Sequence, residues 1–313
     1  MSTCSVIIPV YNSEGSLTPL ITQLGEVMPT LCQQYEVILV NDASTDNSWS
    51  VIRQLVEQHD WVRGINLMRN YGQHNALLCG IRSARYELIV TMDDDLQHPP
   101  EEIAKLFAKL DEGFDVVYGT PQKERHGLLR DLASQVTKLT LQNAMGVEIA
   151  SNVSAFRAFR TQIRDAFAIY QGPFVSIDVL LTWGTTSFAA INTRHEPRTI
   201  GISNYTLRKL ITHALNMMTG FSVLPLQLAS LLGFALALFG VAVLIWAVGR
   251  YLIEGTPVQG FPFLASIIGI FSGAQLLALG IIGEYLARIH FRTMDKPSYV
   301  IREQVVSEEK KDS

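Results

Sequence analysis

The sequence predicts an α/β domain built on a mostly parallel sheet, followed by two C-terminal transmembrane helices. Three observations lead there. Short apolar runs that end in polar residues alternate with helix-spaced segments through the N-terminal part of the chain. Two of those runs end on carboxylates, at Asp42 and at Asp93-Asp94-Asp95. Two long runs, residues 226–248 and 263–282, contain no charged side chain, and a bilayer core takes roughly 20 apolar residues to cross as a helix.

Taken in order, residues 5–10 read as a buried strand that gives way to a loop at Tyr11-Asn12. Residues 17–28 have helical spacing, 35–40 form a second strand ending at Asn41-Asp42, and 48–58 a second helix. A third strand over 62–67 precedes a helix of small and apolar residues over 75–84. The fourth strand, 87–92, runs directly into the three aspartates, and a helix over 99–110 begins with Glu101 and Glu102, the charge its dipole favours. A further strand covers 116–118. In sheets of this kind ligands bind beyond the carboxyl ends of the strands, which is where Asp42 and the aspartate cluster fall.

The two apolar runs hold Gly233, Gly240, Gly269, Gly273 and Gly280, which membrane helices tolerate. With 48% hydrophobic and 17% charged residues, the composition suits a membrane attachment. Arg208 and Lys209 precede the first run, and Arg288, Arg292, Lys296 and Arg302 follow the second. Between the runs stand only Arg250 and Glu254. The positive-inside rule then puts both termini in the cytoplasm. Residues 1–10 lack a basic n-region and are not expected to be a signal peptide. A net charge of −4 offers no general attraction to nucleic acid. Cys4, Cys32 and Cys79 have no metal-like spacing and are expected to be reduced thiols. The predicted organisation is a catalytic domain over 1–203, an interfacial amphipathic connector over 204–221, a two-helix transmembrane region over 222–290 and a cytoplasmic tail over 291–313, charged and disordered from 308 onward.

Asp93 and Asp95 lie two apart at a strand end, so in extended geometry both point the same way. Two carboxylates so placed are tolerable around a cation, and oxygen ligands with an open position suit Mg2+ or Mn2+ shared with a diphosphate. Gln97 adds a neutral oxygen. Asp94 fits equally well as an acid ahead of the Pro99-Pro100 helix start. Arg125, Arg130, Arg157 and Arg198 form a second constellation, suited either to bidentate phosphate binding or to a basic face near anionic headgroups.

Four motifs, Val6-Ile-Ile-Pro-Val-Tyr-Asn12, Val40-Asn-Asp-Ala-Ser-Thr-Asp46, Arg69-Asn-Tyr-Gly-Gln-His74 and Asp93-Asp-Asp-Leu-Gln97, resemble those of inverting family 2 glycosyltransferases with the GT-A fold. With the two apolar runs, the whole chain resembles a polyprenyl-phosphate glycosyltransferase. That resemblance implies a nucleotide-sugar donor, a polyprenyl (undecaprenyl) phosphate acceptor, the cytoplasmic face of a bacterial inner membrane, and a homo-oligomer, a tetramer in relatives. It implies that Pro9, Tyr11 and Asp42 line the base and ribose, and that Arg69 and His74 flank the nucleotide. His74 reads equally as a hydrogen bonder at its helix start. By the same resemblance Asp93 approaches ribose and metal, and Asp95 and Gln97 hold the metal. Arg125, Arg130, Ser134, Arg198 and Ser203 take donor and lipid phosphates, with Asp93, Asp95, Arg125 and Arg198 nearest the chemistry. Three positions depart from the family pattern: Ser13 for Glu, Ser151 for Asp and Asn204 for Lys. A processive polysaccharide synthase is a poor match, since its Gln-x-x-Arg-Trp segment and further spans are missing from the sequence. A membrane-bound nucleotide-sugar binder without catalysis is the rival from another class.

Overall fold

The structure, a computed structural model, describes residues 2–121, 152–172, 175–196, 224–254, 260–294 and 296–307. It divides into two compact units, Met1–Thr212 with Asp295–Ser313, and His213–Met294.

The first unit follows the alternation of the sequence. Its elements are β1 (Ser2–Val10), α1 (Leu17–Leu31), β2 (Cys32–Asn41), α2 (Ser48–Gln58), β3 (Val62–Leu67), α3 (Gln73–Ser83) and β4 (Leu88–Thr91). Then come a 3-10 turn (Pro100–Glu102), α4 (Ile103–Asp111), β5 (Val116–Pro121), β6 (Arg157–Arg160), a second 3-10 segment (Thr161–Phe167), α5 (Ile177–Gly184) and β7 (Phe188–Thr193). The last strand, β8 (Ile301–Val305), lies beyond the second unit in the chain. The strand order is β7-β5-β6-β4-β1-β2-β3-β8. β1 pairs in parallel with β2 and β4, β2 with β3, and β5 with β7. β6 and β8 run antiparallel to their neighbours.

Unbroken burial from Cys4 to Val10 marks β1 as covered on both faces. One cover is α1, whose Leu17, Leu20, Ile21, Leu24 and Met28 recur at helical spacing and are all buried. α4 turns Ile103, Leu106, Phe107 and Leu110 inward in the same way. The sequence places the helix over 17–28 and its neighbours well, but it assigned nothing to β6, α5, β7 or β8. β4 is shorter than the predicted 87–92, because the chain bends away after Thr91.

The register sets the site. Val10 pairs with Asn41, Asn41 with Asn66, and Ile7 with Thr91. The Asp42 amide donates to the Val10 carbonyl (2.9 Å) and the Met92 amide to that of Ile7 (3.2 Å). The C-terminal ends of β4, β1, β2 and β3 therefore lie side by side, and the four motifs leave the sheet together.

The second unit contains α6 (Leu224–Glu254) and α7 (Phe261–Thr293), packed against each other. A side chain at Gly240 would approach Phe271 Cζ to 2.8 Å, so the glycine permits the close approach there. Leu226–Arg250 (mean hydropathy 2.6) and Ile270–Ala287 (1.5) are long and apolar enough to cross a membrane. Large apolar side chains such as Leu231, Phe234, Leu276 and Leu279 are exposed. The second window reaches past the predicted 263–282 and takes in Glu284.

Candidate functional site

The nucleotide-side residues assemble around Asp42. It is buried at 3% exposure, and its two carboxylate oxygens accept the Tyr71 amide (2.7 Å) and the Gly72 amide (2.8 Å). Burial pushes its carboxyl upward, and the two amides oppose that shift. The sequence reading has Asp42 lining the base and ribose; the structure uses both its oxygens to hold the loop before α3. Gly72, at φ +92°, makes that turn in a region side chains rarely adopt. Asn12 and Ala43 also take positive φ, 55° and 54°. The Asn12 Oδ1 accepts the Thr45 amide (2.8 Å), which ties the β1 and β2 loops together.

Tyr11 is 46% exposed at the β1 end. Pro9, by contrast, is buried within β1 opposite Val40, so it shapes the strand end and offers the site no open surface. The Arg69 guanidinium lies 4.6 Å over the Tyr71 ring. His74 sits in the first turn of α3, and its Nδ1 accepts the Ile177 amide (3.3 Å).

At the end of β4 the three aspartates separate. They do not continue the strand, as alternation requires for a shared direction; Thr91 is its last residue and Leu96 has φ 60°. Asp93 Oδ1 accepts the Gln73 side-chain amide (2.7 Å), and Asp95 Oδ1 accepts the Gln97 amide (3.2 Å). Among the described residues the Asp94 Oδ2 is buried with no partner, and burial pushes the Asp94 carboxyl up to about 6. Asp93, Asp95 and Gln97 are partly exposed, and their all-oxygen donor set fits a hard divalent cation.

Behind this motif lies packing that sequence reasoning missed. Gln97 Nε2 donates to the Glu196 carbonyl (3.4 Å) and the Glu196 amide to the Gln97 carbonyl (2.9 Å). His98 stacks on Phe156 at 4.9 Å and tilts against His195 at 5.0 Å. Burial, then the neighbouring His195, lowers the His98 imidazole to about 4, so it is neutral at physiological pH. Residues 97–98 and 195–196 thereby form one block. The only sequence signal was the pair of His-containing segments, which nothing local connects.

Of the four arginines grouped by the sequence, Arg157 is the one described, and it faces the interior. It is 1% exposed on β6, pairs with Asp178 and donates to Thr91 Oγ1 (3.0 Å), and the Tyr118 hydroxyl donates to the same Asp178 (3.2 Å). Its charge is spent inside the fold, bracing the end of β4 two residues ahead of Asp93. Arg125, Arg130, Ser134, Arg198 and Ser203, together with Ser151, Asn204 and the 204–221 connector, lie outside the described residues.

Comparison with known proteins agrees with this architecture. The family profile described as Glycosyl transferase family 2 matches residues 5–167. An undecaprenyl-phosphate 4-deoxy-4-formamido-L-arabinose transferase of Shewanella sediminis (strain HAW-EB3) is 35% identical over 308 residues, 97% of this chain and 93% of the relative. The protein of the same name from Yersinia pestis (strain Pestoides F) is 34% identical, over 97% of this chain and 94% of its own. Among solved structures, glucosyl-3-phosphoglycerate synthase from Mycobacterium tuberculosis, in complex with Mn2+, uridine-diphosphate-glucose and phosphoglyceric acid, shares the GT-A-like fold. Its TM-score is 0.51 at 18% identity, covering 70% of this chain and 78% of that one. A profile spanning the whole strand-end site, together with relatives matched nearly end to end, means that this chain belongs to glycosyl transferase family 2 and is a glycosyltransferase.

Proposed function

We propose that the protein transfers a sugar, with inversion, from a nucleoside-diphosphate sugar to a polyprenyl phosphate, undecaprenyl phosphate being the acceptor and a uridine-diphosphate sugar the donor. The observation that carries this reading is the 35% identity over 97% of the chain, both apolar helices included, to a transferase named for undecaprenyl phosphate. The strand-end site supports it, because Asp93, Asp95 and Gln97 present oxygens beside the loops of β1 and β2.

An oxygen of the lipid phosphate attacks the anomeric carbon, the bond from that carbon to the donor's diphosphate oxygen breaks, and the nucleoside diphosphate departs. A phosphate monoester has a second pKa of about 6 and is mostly dianionic at neutral pH, so the attack needs no general base. Asp93, Asp95 and Gln97 would hold Mg2+ or Mn2+, which when bound neutralises charge on the leaving diphosphate. Arg125, Arg130, Ser134, Arg198 and Ser203 bind the donor and acceptor phosphates. Asp42 holds the Tyr71-Gly72 loop that the nucleotide meets, with Tyr11 and Arg69 beside it.

The site works at the cytoplasmic face of a bacterial inner membrane, with residues 1–203 as the catalytic domain, 204–221 along the surface, 222–290 spanning and 291–313 returning. β8 supports an even number of crossings, though not which face the sheet is on. It shares a sheet with β1–β4, so any membrane crossings between them are even in number, and two match the two apolar helices. Self-association as a tetramer is part of the proposal.

The test is transfer from a panel of uridine-, guanosine- and thymidine-diphosphate sugars to undecaprenyl phosphate, with Mg2+, Mn2+ or chelator. Glycolipid from one uridine-diphosphate sugar, lost with chelator and in a folded Asp95→Ala variant, is the expected result. Normal turnover in Asp95→Ala removes the metal role. Donor retention without glycolipid makes the protein a binder.

A further inference from the structure

The eight residues 298–305 come after the second apolar helix in the chain, yet they frame the loop that Asp42 holds. β8 runs along β3, with Gly64 opposite Val305, Ile65 opposite Gln304, Asn66 opposite Glu303 and Leu67 opposite Ile301. At the next residue both backbone groups of Met68 are taken from the same segment. Its amide donates to the Val300 carbonyl (2.9 Å), and its carbonyl accepts Arg302 Nη2 (3.1 Å). Three and four residues further on, the amides of Tyr71 and Gly72 meet Asp42.

The helices on either side of that loop are held by the same segment. The Arg82 guanidinium of α3 lies 5.8 Å from the Tyr299 ring centroid. Trp49 on α2 donates to Glu303 Oε2 (3.2 Å). Buried Ser298 donates to the Gly172 carbonyl (3.1 Å). An edge strand needed only to cover β3 would require the ladder alone. The Met68 amide closes the last rung of that ladder, and the Arg302 side-chain bond to the Met68 carbonyl goes beyond it and acts on the loop itself.

We infer that residues 298–305 position the donor-nucleotide subsite, with Val300 and Arg302 acting on Asp42 through the Met68–Gly72 loop. This rests on the proposed function, since it takes the ligand of that loop to be a nucleoside diphosphate. A loop ordered before binding spares the ligand the entropy of ordering it. The segment therefore sets donor affinity and leaves the chemical step alone.

The experiment titrates uridine, guanosine, adenosine and thymidine diphosphates, each with Mn2+, into the full-length protein in detergent, and follows the tightest binder. Arg302→Ala is expected to weaken its Kd by roughly three- to tenfold, the loss of one charge-assisted bond at an exposed site. Binding stoichiometry and thermal midpoint are expected to hold, and Arg302→Lys to restore most of the affinity. Ile301→Pro, which disrupts the rung at Leu67, is expected to weaken Kd further. In transfer assays Arg302→Ala should raise donor KM with kcat and acceptor KM unchanged. Unaltered Kd in Arg302→Ala and Ile301→Pro overturns the inference, as does a loss seen only in stoichiometry, which is what a purely structural strand would give. A wild-type protein that binds none of the four diphosphates overturns the proposed function, and this inference with it.

Discussion

At Asp42 a buried carboxylate holds a loop of the candidate site. Each oxygen accepts one loop amide, at 2.7 and 2.8 Å. Asparagine has one acceptor oxygen, so Asp42→Asn orphans one of the two amides. A hydrogen bond to a charged group is worth about 1.5–3 kcal/mol, and Asp42→Asn is expected to raise donor KM at least tenfold with little change in kcat. Steady-state kinetics at saturating acceptor checks this; an unmoved KM means the loop is held without the carboxylate. Cys79 makes the opposite case of a residue kept inert. Burial pushes its thiol from 9.0 up to about 12, so it stays protonated in the fold at pH 8. It is expected to ignore a thiol-reactive disulfide until the protein is denatured. The raised value also has a sign for stability. Above pH 9 the unfolded thiol ionises while the folded one does not, so this group's contribution is complete below 9 and is lost as pH climbs toward 12.

At the scale of elements, the two ends of the parallel strands have separate duties. The carboxyl ends carry the site. Near the start of β2, Glu36 accepts from Ser5 Oγ (2.8 Å), the Arg85 amide (2.9 Å) and Arg63 Nη1 of β3 (2.7 Å). Glu36 is 1% exposed and Arg63 7%. Breaking a buried pair by removing one partner costs about 3–5 kcal/mol, since the other charge is left unpaired. Glu36→Ala is therefore expected to lower the thermal midpoint sharply, with the donor KM of the surviving folded protein unchanged. A shift in KM would couple the two ends of the sheet. β6 contributes differently, through the Arg157–Asp178 pair that braces Thr91 from within.

For the whole molecule, the return of the chain into its own sheet constrains topology more tightly than the count of flanking cations. If both apolar helices span, a probe between them and a probe after β8 fall on opposite sides of the bilayer. The three native thiols are buried, so introduced ones report cleanly. In intact cells a membrane-impermeant maleimide is expected to label Thr256→Cys and to reach Ser307→Cys only after the inner membrane is opened. Labelling of both in intact cells contradicts the two-span reading.

Much of this was legible in the sequence, because it rests on local periodicity. Strands 62–67 and helix 48–58 coincide with β3 and α2, and carboxylates at strand ends mark a site wherever the sheet is parallel. The apolar runs follow from length and the absence of charge. What only tertiary structure decided are pairings between distant segments. Arg157 stood in a constellation of arginines suited either to phosphate or to a basic face, yet it is neutralised by an aspartate 21 residues away. β8 has an exposed, charged centre, Arg302 to Gln304, and reads as tail until β3 supplies its ladder. Asp94 read equally as a helix cap or as part of the site, and its Oδ2 is buried. Periodicity reports which way a side chain faces along its own element; it carries no information about the partner from another part of the chain that neutralises, pairs with or buries it.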